Sequence, residues 1–370
     1  MVRRLLLLIN SLEGGGAEKV FVSLAAHFAR TNRWELCIAT LDDVPDCHLA
    51  PPDIKRVRFD CRGSLLRSVR EVGALISRWQ PDVVLSFLTR ANCAAVLARG
   101  RGDFRCVISE RVNTTSHMGN GLRSRLQRAL VRWLYPRADT VIAVSEGVGQ
   151  ELQRRYHVPA DRITAIPNPV FVDKLQRRGQ EKAGIELPPD FFVAVGRLVP
   201  NKANEVLLRA FAAHANKDRA LIILGEGAER PRLEALAETL GLEGRLHMPG
   251  YIDNPQAIVA RATAYVSASR SEGFPNALIE AMSLGRPVIS TDCHSGPAEI
   301  LAETATGRVT TAKEVSWGIL TPVDDIPALT EAMDMMDMVE RRDRYAVLSR
   351  DRMQSYAPPD IFKRYEGVLS

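Results

Sequence analysis

Long apolar runs are missing from this sequence: the longest near the start, Leu5–Ile9, spans five residues, against the roughly 18 that a membrane-spanning helix needs. Arg3 and Arg4 precede it, as basic residues do in a signal peptide, yet an apolar region of about 7–15 residues and a small-residue cleavage site are both lacking. The run reads as a buried strand and the chain as cytoplasmic. Aromatic residues make up only 6% of the sequence and are not interleaved with basic ones, which argues against a base-stacking platform for nucleic acid. The six cysteines, Cys37, Cys47, Cys61, Cys93, Cys106 and Cys293, form no CxxC pair and have no histidine cluster beside them. Neither a zinc site nor a disulfide framework follows, and the thiols read as reduced and structural.

What is present is globular. A content of 46% hydrophobic and 25% charged residues rules out disorder and fibrous repeats, and 370 residues at roughly 150 per domain predict two domains. Strand-length apolar runs at Leu5–Ile9, Glu35–Thr40, Val83–Phe87, Cys106–Ser109 and Thr140–Val144 alternate with amphipathic stretches, as parallel βαβ units do. A second series starts over with Phe191–Val195, Ala220–Leu224, Arg245–Met248, Ala264–Ser267 and Pro287–Ser290. The fold class is α/β, with two doubly wound parallel-sheet domains. Prolines at Pro167 and Pro169 put the seam near residue 170, giving domains 1–170 and 171–354. A break at Ala357-Pro358-Pro359 opens the tail, 355–370, where Ile361, Phe362, Tyr365 and Leu369 line one side of a short helix. The net charge of +5 conceals an asymmetry: residues 1–170 carry 25 Lys and Arg against 16 Asp and Glu, and the rest 24 against 28. A basic first half suits an anionic partner, although a solvated basic surface gives the same count.

Two glutamates stand out in Glu272-Gly273-Phe274-Pro275-Asn276-Ala277-Leu278-Ile279-Glu280. Pro275 suits the first position of a helix, so Glu272 falls on the entering loop and Glu280 a turn into the helix. The free N–H groups at such a helix start, with a partial charge of about +0.5, suit a phosphate. Glu280 paired with a surface cation is the plain alternative. Gly196-Arg197-Leu198 and then Lys202 follow the strand Phe191–Val195, at the strand end where parallel sheets bind ligands. A planar guanidinium beside a point-charge ammonium suits two neighbouring phosphates, though two solvated cations are common anywhere.

Taken together, Gly196-Arg197-Leu198 with Lys202, the Glu272–Glu280 segment, Gly225-Glu226-Gly227 and Ser295-Gly296-Pro297-Ala298-Glu299 resemble the retaining glycosyltransferases of family 4, whose GT-B fold sets two Rossmann-like domains across a cleft. The likeness spans essentially the whole chain, closest to bacterial hexosyl and N-acetylhexosaminyl transferases of lipid-linked glycan and surface polysaccharide assembly. It implies that Arg197 and Lys202 meet the diphosphate of a nucleotide sugar, expected to be UDP-linked, that Glu280 accepts hydrogen bonds from the ribose hydroxyls, and that Glu272 contacts the transferred sugar. Gly196, Gly225 and the backbone of Phe274, Asn276 and Ala277 would hold donor sugar or phosphate. Pro275 stands where relatives often have Gly, and it removes one amide from that set. A departing nucleoside diphosphate gains negative charge, which fixed cations and a helix dipole stabilise. No Asp-x-Asp pair lies in a suitable loop, so no metal and no cofactor are expected. A glycosidase needs opposed carboxylates and leaves Arg197 and Lys202 without a task.

The resemblance also reaches the first domain, onto which it implies that the helix of 355–370 crosses back, whereas its periodicity alone also allows packing on its own domain. Gly14, Gly15 and Gly16 follow the strand Leu5–Ile9 and open the helix Ala17–Phe28, neither a Walker loop nor a full GxGxxG. In the family this loop and Glu18 lie near the diphosphate and acceptor; Glu18 equally suits the positive start of its own helix. Many relatives carry a histidine at the end of a middle strand, and here Ile108–Asn113 has none, which leaves Glu110, Asn113 or His117 to fill that space. Over Gly121–Pro136, Leu122, Leu126, Ala129, Leu130, Trp133 and Leu134 recur at helical spacing, flanked by Arg123, Arg125, Arg128 and Arg132. A core helix with a solvated edge has that pattern, and so does a cationic helix with Trp docking on anionic lipid. The second reading makes the enzyme peripheral on the inner face of the plasma membrane, with a lipid-linked glycan as acceptor. Its rivals are a soluble acceptor, an epimerase-like enzyme on the nucleotide sugar, and a binding module without transfer.

Overall fold

Leu5–Ile9 is apolar at every position because the strand is covered on both faces. In the computed structural model, which describes residues 2–112, 121–304 and 309–370, with the side chains of Leu122 and Arg123 also left aside, all five are buried. The chain divides into two units, residues 1–169 with 359–370, and residues 170–358.

The first unit is built on seven strands: β1 (Arg3–Ile9), β2 (Trp34–Thr40), β3 (Lys55–Arg58), β4 (Val83–Phe87), β5 (Arg105–Glu110), β6 (Thr140–Ala143) and β7 (Ile163–Ala165). They are all parallel, in the order β3-β2-β1-β4-β5-β6-β7. The order reverses at β1, whose Leu5 pairs with Leu36 on one side and with Val83 on the other. The edge strands β3 and β7 were not expected from the sequence, since Lys-Arg-Val-Arg carries no apolar run and β7 has three half-buried residues.

Pro359–Ser370 belongs to this unit, within a helix, Pro358–Leu369, that buries Ile361, Phe362, Tyr365 and Leu369. The Phe362 ring stacks on His27 at 4.5 Å between centroids, and His27 Nε2 lies 2.7 Å from Glu366 Oε1. The buried Arg111 donates to the Tyr365 hydroxyl at 2.9 Å and to the Asn168 side-chain oxygen, tying the tail helix and the end of the first segment to β5.

The second unit repeats the plan with β8 (Phe191–Val195), β9 (Ala220–Leu224), β10 (Leu246–Gly250), β11 (Ala264–Ser267), β12 (Val288–Thr291), β13 (Lys313–Val315) and β14 (Gly318–Thr321). Their order is β10-β9-β8-β11-β12-β14-β13, parallel except for the β13–β14 hairpin at the edge. Phe192, Leu221, Ile223, Val266 and Ile289 from the sheet pack with Leu207 and Phe211 of the helix Asn204–Ala213 into one core. β10 runs two residues past its expected end, where Gly225 N–H donates to the Gly250 carbonyl at 2.9 Å. Among the described residues no helix is long and apolar enough to cross a membrane.

Candidate active site

The C-terminal ends of β8, β9, β11 and β12 carry the second unit's chemistry. After β8 the chain runs through Gly196 and Arg197 into a single 3-10 turn, Pro200–Lys202, and then the helix Asn204–Ala213. The Lys202 side chain crosses back over Gly196, where a Cβ would lie 3.3 Å from its Cε, and its ammonium donates to Glu272 Oε1 at 2.5 Å. Two of the predicted residues, from loops 70 positions apart, are thus in direct contact. An ammonium has three N–H donors, so one on Glu272 leaves capacity for phosphate oxygens. Arg197 is exposed on the same loop, its carbonyl accepting from the Val199 N–H at 3.0 Å, and its side chain makes no hydrogen bond or ion pair among the described residues. Burial pushes the Cys293 thiol beside Glu272 up to about 12 and raises Tyr265 as well, so both neighbours stay neutral.

Glu280 sits on the second turn of the helix Asn276–Ser283 and accepts from Gln256 Nε2 at 2.8 Å. Pro275 is the residue before this helix, with extended backbone, rather than its first helical residue as expected. No side chain caps the helix, and Asn276 and Ala277 form its first turn, at its positive end. Phe274 turns inward, its ring edge-on to Tyr356 at 5.5 Å, which leaves its backbone to line the loop. The Ser295 hydroxyl donates to the Glu272 carbonyl at 2.5 Å and so joins the loop after β12 to this one. Gly225 is required by packing: its φ is +140°, and a Cβ would lie 2.0 Å from the Gly196 carbonyl oxygen.

In the first unit Gly14 and Gly15 are exposed, and Gly16 begins the helix Gly16–Arg30 one residue before the expected start. The Glu18 carboxylate folds back over Gly15, 2.5 Å from where a Cβ would stand, so the positive end of the helix is met by its own side chain. Glu110, expected on the acceptor side, is a correction. It has no exposed surface, and its carboxylate accepts from the Tyr135 hydroxyl at 2.6 Å inside the unit. Burial raises its pKa to about 7. Asn113 and His117 lie outside the described residues.

The helix Leu122–Leu134 also differs from the single apolar stripe expected. It buries Val131 and Leu134, while Leu126 is 66% and Trp133 52% exposed. Arg125 and Arg132 are exposed beside them, Arg128 is half-buried, and the side chain of Arg123 is not described. Arg137 covers the Trp133 ring at 4.3 Å.

The family described as Glycosyltransferase Family 4 matches residues 14–174, and that described as Glycosyl transferases group 1 matches residues 176–319. The chain belongs to glycosyltransferase family 4. It is 27% identical, over 90% of either chain, to an N-acetylgalactosamine-N,N'-diacetylbacillosaminyl-diphospho-undecaprenol 4-alpha-N-acetylgalactosaminyltransferase of Campylobacter jejuni. It is also 31% identical to a lipopolysaccharide 1,6-galactosyltransferase of Salmonella typhimurium, over 47% of this chain and 48% of that one. The Anabaena protein HepE, solved in complex with UDP, superposes with a TM-score of 0.79 at 17% identity over 99% of each chain. The fold is GT-B, with two Rossmann-like domains.

Three residues that bond to the candidate-site segments went unseen in the sequence: Gln256, which donates to Glu280, and Asn201 and Arg270, which join the Lys202 turn to the segment before Glu272. Asn201 adjoins Lys202 and Arg270 stands two residues before Glu272, so proximity to known motifs was the one available signal. The described residues hold one grouping with metal-ligand spacing, His214, Asp334 and Asp337, none of them among the predicted site residues. Arg219 already bridges its Asp337 to Asp190.

Proposed function

We propose that this glycosyltransferase moves a hexose or N-acetylhexosamine from a UDP-linked donor, with retention at the anomeric carbon and without a metal, to a lipid-linked glycan in cell-surface polysaccharide or glycan assembly. The observation that carries the reading is the Lys202–Glu272 contact at 2.5 Å, with Arg197 on the same loop and the uncapped helix Asn276–Ser283 after it. Arg197 and Lys202 take the diphosphate and stabilise the charge that grows on it as the sugar leaves. Glu272 contacts the sugar hydroxyls and Glu280, oriented by Gln256, the ribose. These assignments follow the family resemblance residue by residue. The UDP choice is supported by HepE, whose structure contains UDP, and the acceptor by the Campylobacter relative, whose name specifies a diphospho-undecaprenol substrate.

The exposed Leu126 and Trp133, flanked by Arg125 and Arg132, favour a peripheral position on an anionic membrane at its cytoplasmic face, where such an acceptor is anchored. A thermal-shift panel of UDP, GDP, ADP and UDP-sugars, with and without EDTA, tests the donor half. A ligand bound only by the native state raises stability as RT ln(1 + [L]/Kd). A UDP-selective shift that survives EDTA and disappears in Glu280→Ala is expected. A shift that needs a divalent metal, or none with any nucleotide, refutes the assignment. The anomeric configuration of the product, read by NMR, decides retention.

A further inference from the structure

Lys202 lies in a turn that its own residues do not favour. The next residue, Ala203, has φ +48° and ψ +40°, a left-handed conformation that glycine adopts freely and alanine does not. Something outside the turn has to hold it, and one side chain reaches all of its surroundings. Arg270, two residues before Glu272, donates through Nη1 to the Pro200 carbonyl at 2.8 Å, through Nη2 to Glu205 at 2.7 Å, and through Nε to Asp324 at 2.7 Å. Its backbone N–H donates to the Asn201 carbonyl at 2.9 Å, and the Asn201 side chain donates back to the Ser271 carbonyl at 2.8 Å.

Pro200 and Asn201 precede Lys202 in the 3-10 turn, and Glu205 lies in the first turn of the helix that follows. The guanidinium therefore grips the Lys202 turn from both sides, while the backbone bonds fasten it to the segment that delivers Glu272. From this we infer that Arg270 is a positioning residue: it fixes the Lys202 ammonium against Glu272 and so sets the affinity of the site for a nucleoside diphosphate. The inference rests on the donor reading proposed above.

The planar fork matters here and the charge alone does not suffice. Arg270 reaches three separate acceptors with three nitrogens, whereas a lysine has a single nitrogen on a flexible stem. Arg270→Lys therefore resembles Arg270→Ala in this respect. Conversely, Ala203→Gly removes the backbone penalty and lets the turn persist with less support.

The experiment measures UDP affinity, with GDP as a second arm, by calorimetry on the full chain. The proteins are wild type, Lys202→Ala, Arg270→Ala, Arg270→Lys, the double variant Lys202→Ala/Arg270→Ala, and Ala203→Gly/Arg270→Ala. Circular dichroism establishes that each is folded. Lys202→Ala is expected to weaken binding about ten-fold or more, and Arg270→Ala and Arg270→Lys by a similar factor, as misplacement of a binding group does. The double variant should be no weaker than Lys202→Ala alone, because a residue acting through Lys202 has nothing left to position. Ala203→Gly should recover part of the loss.

A merely structural role would lower stability and leave this coupling additive. Loss in Lys202→Ala with affinity kept within two-fold in Arg270→Ala overturns the inference alone, as does a full further loss in the double variant. Failure of wild type to bind either nucleotide, or an unaltered Lys202→Ala, overturns the donor reading and this inference with it. Should Arg270→Ala not fold, Arg270→Lys and the Ala203→Gly rescue in that background carry the same comparison.

Discussion

The proposed chemistry turns mostly on a single ammonium. Lys202 is placed by a crossing over Gly196 and by its contact with Glu272, and if it meets charge that develops only as the sugar leaves, its loss should fall on turnover. Lys202→Ala is expected to slow transfer by about 10²-fold or more, the scale seen when one stabilising donor is removed from a charge-developing site. Turnover within a few-fold of wild type rejects that role. Glu110 makes a contrasting case, since its carboxylate is fully buried and held by the Tyr135 hydroxyl inside the first unit. Its folded pKa, about 7, lies above the ordinary 4.5, so the protonated form is the one the fold favours. The associated stability is fully present below pH 4.5 and is lost as pH rises through about 7. Glu110→Gln mimics the protonated acid, with an amide N–H to offer the Tyr135 oxygen. The variant should show a smaller fall in melting temperature from pH 5 to pH 8.5; an equal fall in both proteins refutes it. Arg197, Lys202, Glu272 and Glu280 were legible as candidates because each belongs to a short motif. Asn201, Arg270 and Gln256 were not, because their partners are set by which strand ends the sheet places side by side.

At the scale of elements, legibility followed burial. Leu5–Ile9 and Val83–Phe87 sit inside a sheet with helices on both faces, so apolarity runs unbroken and the strand announces itself. Lys55–Arg58 forms the sheet edge, keeps its charges toward water, and carries no such mark. The helix Leu122–Leu134 shows the same limit from the other side: its apolar residues have helical spacing, but spacing cannot say that Val131 and Leu134 turn inward while Leu126 and Trp133 turn outward. That split suits lipid contact, with Arg125, Arg128 and Arg132 supplying charge near the head groups, worth about 1 kcal/mol each at an anionic surface. Changing these three arginines to Glu is expected to abolish sedimentation with phosphatidylserine liposomes while leaving the UDP thermal shift unchanged. Unaltered sedimentation defeats the membrane reading without touching the donor site.

For the whole molecule, the chain leaves the first unit after Pro169 and returns at Pro359, so the first unit's fold is completed only after the whole of the second has been made. Tyr365 shows how far that completion reaches: it is wholly buried, and its hydroxyl takes a hydrogen bond from the buried guanidinium of Arg111 at the end of β5. Truncating a buried aromatic costs about 3–5 kcal/mol, and here it also strips a partner from a buried cation. The four tryptophans make the effect separable, because Trp34, Trp79 and Trp133 lie in the first unit and Trp317 in the second. In a Trp317→Phe background fluorescence follows the first unit alone, whereas circular dichroism follows both. Tyr365→Ala should lower the denaturant midpoint seen by fluorescence and leave the UDP-protected part of the dichroism transition in place. A fluorescence midpoint equal to that of the parent would mean that the tail helix adds nothing to the first unit's stability.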